Sequence, residues 1–396
     1  MSIILKLDAH EGKIIGRSLN HNKLDDFGRS AKSAFSRLSG AQPATLPFSA
    51  FQASTPCTAG KSNAFGDNGS SQITDAFRAT LRSSQLQFSS PRSLHVSIRT
   101  LSIAAYFAPW LTLLAAGWQA CLAVEFKVGA PPSELKVDPV YKKYVSADGY
   151  PIIATEKTND FALKEAAYLV NMMLAKRPDV RAAMVKSGSR LIVMAHSEFT
   201  TNVPEHSHLR PKDFWDARAR GLGGSQTDPV CSCGEENLLG YSGDPYSTEC
   251  ILIHEFAHNI HLRGMVNVDP TFDERVKKAY QAAQDKGLWK GKYASVNHHE
   301  YFAEGVQSWF DNNRENDHDH NHVNTRQELL DYDSGLAALC REVFGDTKLV
   351  YTKPATRLME HLAGFDPSQT PCFKWPERLS KMREEIRNQA RRRSQE

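Results

Sequence analysis

Two histidines four residues apart, with a glutamate directly after the first, stand in Ile251-Leu252-Ile253-His254-Glu255-Phe256-Ala257-His258. On an α-helix, positions i and i+4 lie one above the other, so both imidazoles reach one point off a single face. Imidazole nitrogens are ligands for a zinc-class ion, and a pair at this spacing supplies half of a tetrahedral site. Glu255 sits beside the pair, where its carboxylate can take a proton from a water at the ion, the base position of the H-E-x-x-H pattern. The bland alternative is a helix with two surface histidines. It is disfavoured because Ile251 to Ile253, Phe256 and Ala257 predict a buried helix, in which unpartnered polar groups are costly.

A catalytic zinc wants three protein ligands and one open position. The long H-E-x-x-H-x-x-G-x-x-H pattern requires glycine where this chain has His261 and histidine where it has Gly264, so that class is rejected. His261 points about 60° away from His258 around the helix and reads as a neighbour of the site at most. The better third ligand is Glu300, in Asn297-His298-His299-Glu300-Tyr301-Phe302-Ala303-Glu304-Gly305. Glu304, one turn later on the same face, is placed to accept the outer N–H of a ligating histidine and fix its tautomer. His298 and His299 are rival ligands without such an i+4 partner.

The pair of segments His254-Glu255-Phe256-Ala257-His258 and Glu300-Tyr301-Phe302-Ala303-Glu304 resembles the catalytic domain of anthrax lethal factor and its relatives, a branch of the gluzincins. The resemblance spans roughly residues 240 to 312, with Ala257 and Tyr301 as departures from the family's Gly and Phe. It implies a zincin-like α+β fold, one catalytic Zn2+ on His254, His258 and Glu300, and Glu255 as general base. It also implies that Tyr293, seven residues before Glu300, donates its hydroxyl to a developing oxyanion. The expected activity is that of a zinc metalloendopeptidase acting on a peptide or protein. The partner-binding regions of lethal factor have no counterpart here.

These side chains need elements to hold them. Apolar spacing predicts helices over 161–176, 179–186, 247–262, 271–286, 298–312 and 326–344, and a buried strand over 190–195. Asp244-Pro245 and Ser247-Thr248 read as start signals for the 247–262 helix and Gly264 as its stop. From Thr200 to Gly243 the chain is dense in Gly, Pro and polar residues and reads as loops with an edge strand. By fold analogy, the 190–195 strand belongs to a sheet whose edge would hold extended substrate. The result is a mainly helical α+β domain with a small sheet over residues 125–376.

The flanks differ. Residues 1–98 are rich in Ser and Gly, and 39–93 in particular read as disordered. Leu101 to Val124 contains no charged residue and is long enough to cross a bilayer. It reads as a signal peptide cleaved after Ala123 or as a transmembrane anchor, and either sends the domain out of the cytoplasm. Residues 377–396 form a basic tail, expected to be a solvated or frayed helix end. The net charge of +3 over 396 residues argues for no nucleic-acid partner.

Of the seven cysteines, Cys231, Cys233, Cys250, Cys340 and Cys372 fall in the domain, and a disulfide tying Cys231 or Cys233 to Cys250 is the expected pairing. Asp317-His318-Asp319-His320-Asn321-His322 reads as a solvated loop, and His206 and His208 as loop residues within reach of the cleft. Trp309 and Phe310 read as core contacts. Two other functional readings remain: a catalytically inactive binding protein that keeps the fold, and a membrane-anchored interaction protein whose working part is residues 1–98.

Overall fold

The computed structural model describes residues 4–7, 14–17 and 126–393. Strands β1 (Ile4–Leu7) and β2 (Ile14–Arg17) pair antiparallel. The expected disorder of 39–93 and both readings of the apolar 101–124 segment fall outside the described residues. Among the described residues no helix is long and apolar enough to cross a membrane.

The rest is α+β, with helices around one five-stranded mixed sheet of order β3-β4-β5-β7-β6. Strands β3 (Tyr141–Ala147) and β4 (Tyr150–Thr155) are antiparallel and joined through Asp148 and Gly149. Both joining residues have positive φ, at 48° and 91°, as a tight two-residue hairpin requires. β4 runs parallel to β5 (Arg190–Met194), and β5 parallel to β7 (Val230–Gly234). The two-residue β6 (Gly221–Leu222) pairs antiparallel with β7 at the edge. The crossover from β4 to β5 carries helices α1 (Asp160–Met173) and α2 (Pro178–Lys186).

Side chains alternate across the strands. Ile152, Ala154, Leu191, Val193, Cys231 and Cys233 enter the main helical core, while Ile153, Ile192, Met194 and Val230 pack with Tyr141 and Val203 on the other face. With both faces covered, β4 and β5 become the unbroken apolar runs seen in the sequence. β5 is therefore a central strand, and the edges belong to β3 and β6.

Helix α3 (Lys212–Arg218) precedes β6, and α4 (Glu235–Leu239) follows β7. Between α3 and β6, Arg220 is fully buried and forks onto Glu236, with Nε 2.5 Å from Oε1 and Nη2 3.0 Å from Oε2. Its remaining N–H groups donate to the carbonyls of Ala195 and Glu198. Arg220→Met would leave the Glu236 carboxylate buried without its counter-charge, and should lower unfolding stability by about 3–5 kcal/mol in chemical denaturation. A double change that also makes Glu236 apolar should recover most of that loss. Equal stability of parent and single variant would rule this account out.

Next come helix α5 (Ile251–Asn259), α6 (Phe272–Asp285), α7 (His298–Trp309), α8 (Arg326–Tyr332), α9 (Ser334–Phe344) and α10 (Glu377–Arg393). Four expectations need correction. The 326–344 helix breaks in two, because Asp333 caps α9 through Leu336 N and also accepts from Tyr301 Oη and Trp289 Nε1. Gly264 does not stop α5, which continues through a π-helical turn, Ile260–Met265, and a last turn, Val266–Val268. The glycine serves close packing instead: a Cβ there would fall 2.6 Å from Val180 Cγ1.

The basic tail is a helix packed on α3, with Leu379, Arg383 and Ile386 buried beside Phe199, Ala217 and Phe373. Last, Cys231, Cys233, Cys250 and Cys340 are all free, so the disulfide between the 231–233 strand and the α5 helix does not form. They pack as small apolar groups, and burial pushes the Cys250 thiol up to about 12.

Candidate metal centre

The entry to α5 is fixed from a distance. Its preceding residue, Cys250, has no capping side chain of its own, and the Asp244 and Ser247 signals lie outside the helix. Instead Asn312 Oδ1 accepts from Cys250 N and Asn237 Oδ1 from Ile251 N, both at 2.8 Å. The two amides satisfy donors that every helix start leaves open. The start of α7 is capped locally: Asn297 Oδ1 accepts from His299 N at 2.8 Å and Glu300 N at 3.0 Å. Trp309 and Phe310 close the other end of α7 in the core, as their apolarity predicts.

Helices α5 and α7 pack together and bring His254, His258 and Glu300 to one point. His254 Nε2 lies 3.0 Å from Glu300 Oε2, His258 Nε2 lies 3.4 Å from the same oxygen, and the two Nε2 atoms are 3.3 Å apart. Bonds of about 2.0–2.1 Å to a tetrahedral ion place its ligand atoms about 3.3–3.4 Å apart. The observed triangle has that size. Three buried ligand atoms of this type therefore fit a zinc-class ion. His298 and His299, the rival ligands, belong to a different cluster with Asp273.

The field at this point is strongly cation-attracting. Burial alone would lower the His254 imidazolium, but the Glu300 and Glu304 carboxylates outweigh it and hold His254 well above its ordinary value. For Glu300 burial pulls upward, and the two imidazoles hold it well below the usual carboxylate range. The attraction that retains a proton here is the one a divalent cation would feel.

Behind the triangle, His254 Nδ1 donates to Gln307 Oε1 at 2.8 Å, and Glu304 Oε1 stands farther off at 3.4 Å. The outer partner expected at Glu304 is thus shared, with Gln307 the closer. Gln307 is held in turn by donating Nε2 to Glu249 Oε2 at 2.8 Å. Glu304 receives Asn313 Nδ2 at 3.0 Å and faces His320 Nε2 at 3.4 Å, and His320 Nδ1 meets Asp317 Oδ1 at 2.8 Å. His320 and Asp319 are buried, so this part of the His/Asp tract is not a solvated loop. Burial lowers His320, yet Glu304 and Asp317 raise it to about 10.

Glu255 is buried within the cleft wall, and that burial raises its carboxyl against the lowering pull of His254 and His258. Tyr293, on a 3-10 turn (Tyr293–Ser295) before α7, lies with its ring centroid 5.9 Å from that of His254. Burial, then Glu300, pushes its hydroxyl well above the usual value. Arg218, at the end of α3, lines the same cleft and lowers both Glu255 and Tyr293; no sequence pattern marked it. His206 is buried beside Asp228, 3.6 Å away, and does not line the cleft, nor does His208.

The cleft encloses about 610 Å³. One wall is the strip Gly221-Leu222-Gly223-Gly224, pressed against α5. A Cβ on Gly221 would come 2.8 Å from Glu255 Cγ, one on Gly223 2.5 Å from His258 Cδ2, and one on Gly224 2.0 Å from Asn259 Oδ1. Asn259 ties the strip down by accepting from Gly224 N at 2.8 Å. Gly223→Ala should therefore displace the His258 ring and weaken zinc binding about 10–100-fold, the scale of losing a support behind a ligand. Competition with a chromogenic chelator reads this directly, and unchanged affinity would show that the strip yields.

No family model matches the chain, and no curated protein sequence matches it. Among solved structures it is similar to the Pro-Pro endopeptidase PPEP-2 from Paenibacillus alvei, at 18% identity and a TM-score of 0.34, over 50% of this chain and 99% of that one. At that distance the site rests on its own geometry.

Proposed function

We propose that the chain is a zinc-dependent metalloendopeptidase of the gluzincin type, with a zincin-like domain. The observation that carries this reading is the triangle of His254, His258 and Glu300 with Glu255 on the same helix. A zinc ion held by His254, His258 and Glu300 would supply a Lewis acid for the scissile carbonyl and for the attacking water. Glu255 takes a proton from that water and hands it to the departing amine nitrogen. Tyr293 offers its hydroxyl, kept protonated by burial, to the oxygen on which charge develops; such a donor is commonly worth about 3–4 kcal/mol. Gln307 and Glu304 hold the His254 ring in the tautomer whose Nε2 faces the cleft. The substrate is a peptide or protein, and the place of action is outside the cytoplasm, reached by way of the 101–124 segment.

The inactive-binder alternative predicts a bound ion without turnover. Chelation separates the two. Treating the protein with 1,10-phenanthroline should abolish cleavage of a casein or peptide mixture, and stoichiometric zinc should restore it. Cleavage that persists in the metal-stripped protein would refute the peptidase reading, and zinc binding with no cleavage at all would favour the inactive binder.

A further inference from the structure

Two residues past His258 the helix widens into the π turn Ile260–Met265. A π turn changes the angular step between residues and recurs at functional sites. Here it carries His261, which is fully buried, and neither of its ring nitrogens makes a hydrogen bond. Its Nε2 nevertheless lies 3.1 Å from Asp273 Oδ1, off the line a hydrogen bond needs. Two more imidazoles converge on that same oxygen from the first turn of α7: His298 Nε2 at 2.9 Å and His299 Nε2 at 3.7 Å. The other Asp273 oxygen, Oδ2, is taken by Lys277 Nζ at 2.7 Å, so Oδ1 is the one that faces the imidazoles.

We infer that Asp273, His298 and His299 form a second site for a zinc-class divalent ion, beside the first and opening on the same cleft, with His261 facing the same carboxylate. Ligand atoms of Asp273, His298 and His299 all lie within 4.8 Å of one another, and these residues line the cleft with His258 and Glu300. Two imidazole nitrogens and one carboxylate oxygen suit Zn2+, Co2+ or Ni2+, whereas Mg2+ and Ca2+ call for oxygen donors. The buried His261, whose nitrogens make no well-aligned hydrogen bond, faces the same Asp273 oxygen and adds to the polar character of the site. The site is more open than the first, because the His299 side chain is 37% exposed against 7–10% for His254, His258 and Glu300. It should accordingly bind the weaker of two ions.

The competing explanation is that Asp273 only orients three histidines by hydrogen bonding, and stoichiometry tells the two apart. The full chain, stripped of metal and titrated with zinc, should take up two ions with affinities at least tenfold apart. A His298→Gln/His299→Gln variant should take up only the tighter ion, whose retention reports an intact fold. Glu300→Ala should keep the weaker ion and lose the tighter one. A parent that binds a single ion, or a double variant that still binds two, overturns the second site and leaves the peptidase reading untouched. If the double variant loses both ions, the milder Asp273→Asn decides: loss of the weaker ion alone supports the site, and loss of neither overturns it.

Discussion

Replacing Glu255 by Gln should lower kcat for peptide hydrolysis by about 10²–10⁴-fold while the bound zinc stays in place. Glu255 contributes no atom to the ligand triangle, so its loss removes no bond to the ion. Glutamine matches its volume, which matters because Gly221 leaves no slack against the Glu255 side chain. What the amide cannot do is accept and release the proton that travels from water to leaving amine. The two readouts are metal content by mass spectrometry and kcat on a fixed peptide. A variant that cleaves as fast as its parent would remove Glu255 from the mechanism, and one that loses its zinc would make it a structural residue.

Glu300→Ala should have the opposite signature: zinc affinity falls by well over 100-fold, and hydrolysis disappears with the metal at ordinary zinc concentrations. Loss of a residue that merely supports a ligand costs about 10–100-fold. In the proposed centre Glu300 would supply one of three ligand atoms, and its carboxylate is the negative charge that both imidazoles face, at 3.0 and 3.4 Å. Gln307→Leu is the calibrating comparison, since it removes only the hydrogen bond behind His254 and should fall within the smaller range. Should the two substitutions weaken zinc equally, Glu300 is not a ligand and the third position belongs elsewhere.

The sequence carried the groups of the proposed centre better than their supports. His254, Glu255 and His258 were legible because a helix forces i and i+4 together, and Glu300 and Glu304 because they repeat that spacing on a second apolar helix. Gln307 was not, although it also lies on α7, because a lone glutamine reads as surface until the facing His254 is known. His320 was hidden by its neighbours: an alternating His/Asp tract looks solvated, and only the tertiary fold tucks one of its histidines against Glu304. Arg218 ends a short helix that the sequence showed only as loop.

Element boundaries failed where their causes were remote. Asn237 and Asn312 set the start of α5 from 14 and 62 residues away, so no local signal could mark it. Gly264 looked like a stop because glycine often ends helices, but its reason is the approach of Val180 and Met184. The cysteines invited a pairing by their nearness in the chain. In the fold Cys231 and Cys233 are ordinary inward positions of β7.

The glycine strip also decides how this cleft can tell one ligand from another. Apart from Leu222, that wall presents main chain and nothing else, and main chain is the same for every sequence that might lie along it. It can hold an extended ligand by its amides and carbonyls, but it is blind to what that ligand spells. Discrimination must then come from the other side chains of the lining, among them Arg218, Gln226, Lys277, Tyr293 and His299. The three glycines cannot acquire a side chain without striking α5, so new preferences have to arise elsewhere in the lining.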